Sequence, residues 1–197
     1  MPGKMIVFEG LDGSGISTQS GMLKNWLESS GHNVLLTKEQ TDGLIGGIIK
    51  SGLRGEWLVS PLALQLLFAA DRAQHLEKEI EPALAKEKYV VVDRYILSSL
   101  AFGSLSVDAK FLRQINAGFR KPDMTIFVDT ATDECIRRMS MVRYHVELFE
   151  KKEKLEDVRK NYLSLLGYFP NTIRIDGNRT KSEVFADVKE AVLNILE

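Results

Sequence analysis

The stretch Met5-Ile6-Val7-Phe8-Glu9-Gly10-Leu11-Asp12-Gly13-Ser14-Gly15-Ile16-Ser17-Thr18 decides the fold. Met5 to Phe8 form an apolar run that reads as a buried strand, and the glycines behind it break the run into a tight turn. Beyond the turn Met22, Leu23, Trp26 and Leu27 recur at helical spacing, which predicts a helix from about Ser17 to Ser30 with Gly31 at its C′ position. A strand, a glycine-rich turn and a helix opening make the setting of a phosphate-binding loop. Glycines let main-chain N–H groups converge on an anion, and the helix start adds donors and a favourable dipole. Gly10, Leu11, Asp12, Gly13, Ser14, Gly15, Ile16, Ser17 and Thr18 would form that cradle, with the Ser17 hydroxyl in the place that coordinates Mg²⁺. A glycine-rich strand-to-helix turn without a ligand is the plainer alternative. The consensus of such loops is G-x-x-x-x-G-K-[ST], and Ile16 stands at the lysine position. Its loss removes a positive charge from the β- and γ-phosphates. Either another cation supplies it, or the chain binds nucleotide without turning it over well.

Working outward, Val34-Leu35-Leu36, Tyr89 to Val92, Thr125 to Val128 and Thr172 to Ile175 read as further strands, each apolar or β-branched as expected of strands buried on both faces. Between the second and third strands a helical pattern runs from Pro61 to Lys86, with Ser60 as N-cap and a kink or restart expected at Pro82. Shorter helices are predicted over Ser98 to Ser104 and Asp108 to Phe119. Strands alternating with helices imply an α/β chain: a three-layer α/β/α arrangement with a five-stranded parallel sheet. No repeat or low-complexity linker divides it, so residues 1–197 read as a single domain. The charged segment 137–156 reads as a flap or as a solvated helix face.

Composition narrows the function classes. With 197 residues and 44% hydrophobic content the chain can bury a core, and 26 Lys+Arg against 27 Asp+Glu give a formal charge of -1. That balance argues against a nucleic-acid partner held by bulk electrostatics, although a local basic pocket is compatible with it. The single cysteine, Cys135, forms neither an intrachain disulfide nor a thiolate cluster and reads as a packing residue in a reducing compartment. The N-terminal apolar run is too short for a signal peptide, and no stretch approaches the roughly 18 apolar residues of a membrane span, so a cytoplasmic protein without membrane contact is expected. His32, His75 and His145 lack metal-ligand spacing and read as surface or packing residues.

Four blocks in order resemble the thymidylate kinases, a family of P-loop nucleoside monophosphate kinases. They are Phe8-Glu9-Gly10-Leu11-Asp12-Gly13-Ser14-Gly15, then Leu66-Leu67-Phe68-Ala69-Ala70-Asp71-Arg72, then Asp93-Arg94-Tyr95 with Ser98-Ser99-Leu100-Ala101, and finally Lys121-Pro122-Asp123 with the strand ending at Asp129. The resemblance implies transfer of the γ-phosphate of ATP to dTMP with Mg²⁺, and a homodimer formed through helices flanking the sheet. By that resemblance Phe68 stacks on the thymine, Arg72 hydrogen-bonds the base edge, and Ser98 and Ser99 line the same pocket. Read alone, Phe68 fits a core position one turn from Leu64, and Arg72 fits an ion pair on its helix. Asp93 is implied to organise the metal and Arg94 to reach the acceptor phosphate; a helix N-cap followed by a surface arginine is the alternative. Asp12 resembles the acid that positions the acceptor, or is a turn aspartate.

Departures from the family pattern are informative too. Lys38-Glu39-Gln40 falls where many relatives have Arg-Glu-Pro, so Lys38 keeps the charge for the acceptor phosphate without the bidentate fork. Leu97 and Gly103 differ from the aspartate and glutamine common in bacterial relatives. The 137–156 segment resembles a lid, with Arg138 at its entrance, Tyr144 near the acceptor sugar, and Arg143 or Arg137 as cations that replace the missing loop charge. Asn178 and Arg179 follow the last strand, where relatives approach the adenine. Two alternatives stay open: a nucleotide-binding, catalytically weak regulatory relative, motivated by Ile16, and a kinase of another pyrimidine monophosphate, motivated by Gln40, Leu97 and Gly103.

Overall fold

A computed structural model of the chain describes residues 3–141 and 152–196. Its centre is a five-stranded sheet of β1 (Met5–Gly10), β2 (Val34–Lys38), β3 (Tyr89–Asp93), β4 (Met124–Asp129) and β5 (Thr172–Asp176), ordered β2-β3-β1-β4-β5. Every pairing is parallel. The register sets Asp93 beside Phe8 on one side of β1 and Val128 beside Gly10 on the other, so the residues that leave β1, β3 and β4 emerge along one carboxyl edge. The chain goes from β1 to β2 on one side and later crosses to β4 on the other. This makes the carboxyl end of β1 a topological switch point, where open parallel sheets bind ligands.

Alternation in β1 builds two cores. Met5 and Val7 point into a cluster with Leu100, Leu155, Val158 and Tyr162, from α5 (Ile96–Gly103) and α8 (Lys152–Leu165). Ile6 and Phe8 point the opposite way, toward Leu23 and Leu27 of α1 (Ile16–Ser29) and Val184 and Val188 of α9 (Lys181–Leu196). The three-layer α/β/α arrangement follows from this split, and each fully buried apolar side chain contributes about 1.5–3 kcal/mol. Helix α1 ends as its sequence predicts: Gly31 has φ +86°, and its N–H donates to the Glu28 carbonyl at 3.0 Å.

Several elements differ from their sequence reading. β1, β3 and β4 are buried along nearly their whole length, whereas β2 and β5 are edge strands and only half-buried; Leu36 is 37% exposed. An apolar run therefore did not distinguish the centre of the sheet from its rim. A helix without a sequence-based expectation, α2 (Leu44–Leu53), contains Gly46, Gly47 and Gly52. The pattern from Pro61 divides into α3 (Pro61–His75), a π-helical turn (Leu76–Ile80) and α4 (Glu81–Ala85). Pro82 falls in the first turn of α4, where a missing N–H is tolerated. Ser60 caps α3 as expected, its hydroxyl accepting from the Ala63 N–H at 3.2 Å. The other two predicted helices become α5 and α6 (Ala109–Asn116).

Cys135, on α7 (Thr132–Ser140), is fully buried, and burial pushes its thiol up to about 12. In the folded protein at pH 8 its reaction with a disulfide reagent should be slower than in urea-unfolded chain by more than about a hundredfold. Equal rates, read from released thiolate, would contradict the packing. No helix among the described residues is long and apolar enough to cross a membrane.

Candidate active site

The loop after β1 has the backbone its glycines suggest. Gly15, the residue before α1, has φ +101°. Gly13 has φ +79°, and a Cβ there would lie 2.5 Å from the Cys135 carbonyl oxygen, so the loop is closed against α7 in a way no larger residue permits. The Ser14 hydroxyl oxygen is buried inside the loop without a partner among the described residues. The Ser17 hydroxyl donates to Asp93 Oδ2 at 2.5 Å, which puts two hard oxygen ligands side by side. This donor set suits Mg²⁺, which takes one or two protein oxygens and completes its shell with substrate phosphates and water. Ile16 is 5% exposed and packs with Ile6, Phe8 and Leu23, so the position that would extend a cation toward the phosphates belongs to the core.

A cavity of about 420 Å³ lies over this loop and is lined also by Lys38, Asp93, Arg94 and Arg138. Arg94 directly follows β3 and has φ +71°, an uncommon conformation for a residue with a side chain. Its Nη1 donates to the Gly10 carbonyl at 2.9 Å and its Nη2 to Asp12 Oδ1 at 2.5 Å. Burial lowers its pKa, but Asp12 above all, with Tyr162, Asp93 and Glu9, more than reverses this, so the guanidinium is held above its ordinary range and stays charged. Lys38 is half-exposed and 3.4 Å from Asp42.

Beneath Arg94, Glu9 is nearly inaccessible. It accepts from the Tyr95 N–H at 3.0 Å, from Tyr162 Oη at 3.2 Å and from the Ser98 hydroxyl. Burial raises the Glu9 carboxyl, opposed by the Ser98 hydrogen bond and the Arg94 charge. Ser98 is therefore tied into the floor of the site, where its oxygen also lies 3.3 Å from Arg94 Nη1.

A second cleft adjoins the first through Asp12 and Arg94 and contains Phe68, Arg72, Ser98 and Ser99, the four residues assigned to the base. Phe68 is half-buried, and Arg72 is 1% exposed. Arg72 reaches Glu39 Oε2 through Nε at 2.9 Å and Nη2 at 2.6 Å, Ser99 Oγ through Nη2 at 3.0 Å, and Asn116 Oδ1 through Nη1. These bonds take four of the guanidinium's five N–H donors. The ion-pair reading of Arg72 is thus correct in kind, with the acid supplied by the segment after β2 rather than by the same helix. Asp71 pins that segment as well, accepting from the Thr41 N–H at 2.8 Å and from its hydroxyl at 2.6 Å. His75 is buried in a polar network rather than simply packed, with Nε2 2.8 Å from Thr37 Oγ1 and 3.2 Å from Glu79 Oε2 and Nδ1 3.4 Å from Glu39 Oε1, and His32 meets the Tyr89 ring edge-on.

On the far side of the loop a cavity of about 440 Å³ is lined by Ser14, Gly15, Thr18, Arg138, Asn178 and Arg179 among others. Arg138 spans it, donating from Nη1 to the Ser14 carbonyl at 3.2 Å and from Nη2 to the Gly177 carbonyl at 2.9 Å. Asn178 Oδ1 accepts from the Ala131 N–H at 2.9 Å, and Arg179 pairs with Asp187. Arg137 is exposed, lines this cavity and pairs with Glu134, whose carboxyl is lowered to about 2 by hydrogen bonds from Arg137 and Arg138. Arg143, Tyr144 and His145 lie outside the described residues.

The sequence reading gave no role to Glu9 or Glu39, buried acids that tie down Ser98 beneath Arg94 and pair with Arg72 respectively. Both sit at or just beyond the carboxyl end of a strand, and an acid in that position was the available signal.

The comparisons agree with this geometry. A family model described as thymidylate kinase matches residues 8–188. The chain is 38% identical over 194 residues to the "Probable thymidylate kinase" of Pyrococcus horikoshii, with 95% of each chain covered. It is 40% identical over 195 residues to that of Pyrococcus abyssi, again covering 95% of both. Among solved structures, thymidylate kinase from Candida albicans superposes with TM-score 0.83 at 26% identity, covering 98% of this chain and 92% of that one.

Proposed function

The chain belongs to the thymidylate kinase family, ATP-dependent enzymes that convert dTMP to dTDP, and from that premise we propose how its own residues carry the transfer. The supporting observation is that the glycine loop, Lys38, Asp93, Arg94 and Arg138 line one cavity that adjoins the Phe68–Arg72 cleft. In our reading, the backbone N–H groups of Gly10 to Thr18 hold the donor phosphates, and Arg138 walls the donor side together with Asn178 and Arg179. The Phe68 ring carries the thymine face, Arg72 and Ser99 bound its edge, and Arg94 and Lys38 meet the acceptor phosphate. Asp12 orients the Arg94 fork, and Ser98 with Glu9 supports it from below. Ser17 and Asp93 would hold Mg²⁺, which when bound neutralises charge on the donor phosphates. Arg143 and Tyr144 keep their assignments to phosphate and sugar on sequence alone.

Phosphoryl transfer asks the protein chiefly for alignment and charge. Arg94, with its pKa held high and its fork aimed by Asp12 and the Gly10 carbonyl, supplies both at the acceptor. We infer that the lid arginines, Arg143 or Arg137, supply part of the charge that the loop lysine would carry at the donor phosphates. An Ile16→Lys variant, measured at saturating ATP and dTMP, should therefore change kcat by less than about tenfold. A hundredfold gain would mean that nothing had replaced the missing charge.

The same reading makes residues 1–197 one domain working in the cytoplasm on small nucleotides rather than nucleic acid. It also makes the enzyme a homodimer: Leu58 just before α3 and Leu62 and Leu66 in its first half are 101%, 47% and 46% exposed, with Leu44 and Ile48 of α2 exposed as well. A panel of dTMP, dUMP and dCMP with Mg-ATP tests the function. Preference for dTMP supports it, preference for another pyrimidine favours the altered Gln40, Leu97 and Gly103 as specificity changes, and binding without turnover favours the regulatory alternative that Ile16 suggests. The Candida albicans enzyme is described as one of broad substrate specificity, which is why the panel extends beyond dTMP.

A further inference from the structure

We propose that Gln65 reads the edge of the acceptor base, its side-chain amide pairing with the ring N–H and adjoining carbonyl of a thymine seated on Phe68. The inference rests on the assignment of the Phe68–Arg72 cleft to that base. Gln65, Phe68 and Arg72 follow one another at spacings of three and four along α3, so they share one helix face, and all three line the cleft. Gln65 is 4% exposed, yet its Oε1 accepts no hydrogen bond from any described residue. A buried carbonyl oxygen without a donor is unfavourable, and natural structures rarely keep one that does not serve a ligand or a bound water.

The surroundings fit a ligand. A Cβ on Gly103 would lie 2.9 Å from both Cδ and Oε1 of Gln65, so the amide occupies space that only glycine leaves at that position. Arg72, the other polar group on this face, is a donor only and has committed four of its five N–H groups to Glu39, Ser99 and Asn116. A thymine or uracil brings an N–H that needs an acceptor beside a carbonyl that needs a donor. A primary amide offers that pair in one plane.

The test compares dTMP with 3-methyl-dTMP, in which a methyl group replaces the ring N–H proton. The wild-type enzyme should use dTMP at least about tenfold better in kcat/KM. Gln65→Met should raise the KM for dTMP about tenfold with kcat within about threefold, and should collapse the preference over the methylated substrate. Gly103→Ala, which displaces the amide, should reproduce the rise in KM. Equal use of the two substrates by the wild type overturns the proposal whatever the variants' folding. So does a Gln65→Met enzyme with unchanged KM and unchanged preference. Phe68→Ala separates the role of Gln65 from that of the base cleft. If it raises the KM while Gln65→Met is silent, only the role of Gln65 falls; if it too is silent, the base cleft falls with it.

Discussion

Replacing Arg94 by alanine is expected to lower kcat by about 10²–10³-fold while leaving the protein folded. Arg94 leaves β3 at the switch point of the sheet, its fork is fixed by Asp12 at 2.5 Å and the Gly10 carbonyl at 2.9 Å, and its φ of +71° turns it toward the loop. Charge that develops during transfer meets a cation already oriented, so no reorganisation accompanies the step. Arg94→Lys should recover only part of the rate, because an ammonium keeps the charge and loses the fork that Asp12 and Gly10 hold. Steady-state kinetics at saturating ATP and dTMP check both variants. Turnover of Arg94→Ala within about threefold of wild type would remove Arg94 from the transfer step.

The second large effect falls on stability. Arg72→Met should destabilise the fold by about 3–5 kcal/mol, because it leaves the buried Glu39 carboxylate without its guanidinium and with only the His75 ring beside it, Nδ1 3.4 Å from Oε1. The Arg72 and Glu39 side chains are 1% and 4% exposed and 2.6 Å apart, and water does not screen the loss. Urea denaturation followed by circular dichroism measures it as a fall in midpoint at constant slope. The double variant Arg72→Met/Glu39→Gln should regain a substantial part, since removing both charges costs far less than stranding one. A single-variant loss under about 1 kcal/mol would show that the His75 contact suffices for Glu39 or that the carboxylate takes a proton. The same substitution should raise the KM for dTMP, because Arg72 and Asp71 together hold the Glu39–Thr41 segment against the cleft.

Local patterns made much of this architecture legible. The apolar run of β1, the glycines behind it and the spacing of Leu23 and Leu27 announced a parallel α/β sheet with a phosphate loop, because strand, turn and helix signals act over a few residues. Helix α2 escaped notice because Gly46, Gly47 and Gly52 lower its propensity, and it forms by packing on α3 instead. Leu36 and Ile173 resemble central strand residues in a sequence and lie at the rim, since the order of strands is a property of the whole chain. Lys38 and Asp93, the last residues of β2 and β3, and Arg94, which follows β3, stand out as candidates from their place at strand ends. Glu39 was not assigned because its partner Arg72 is 33 residues away and only the assembled sheet brings them together. The meaning of Ile16 also came from three dimensions: its side chain belongs to the core formed by Ile6, Phe8 and Leu23.

The site transfers phosphate although position 16 of its loop is apolar. The most direct measurement is the rate at which the purified wild-type protein forms dTDP from Mg-ATP and dTMP, with ADP quantified in the same chromatogram. Equal amounts of ADP and dTDP are expected, with a kcat of about 1–100 s⁻¹, the range usual for kinases. Saturable nucleotide binding with dTDP formation no faster than the enzyme-free control would contradict this.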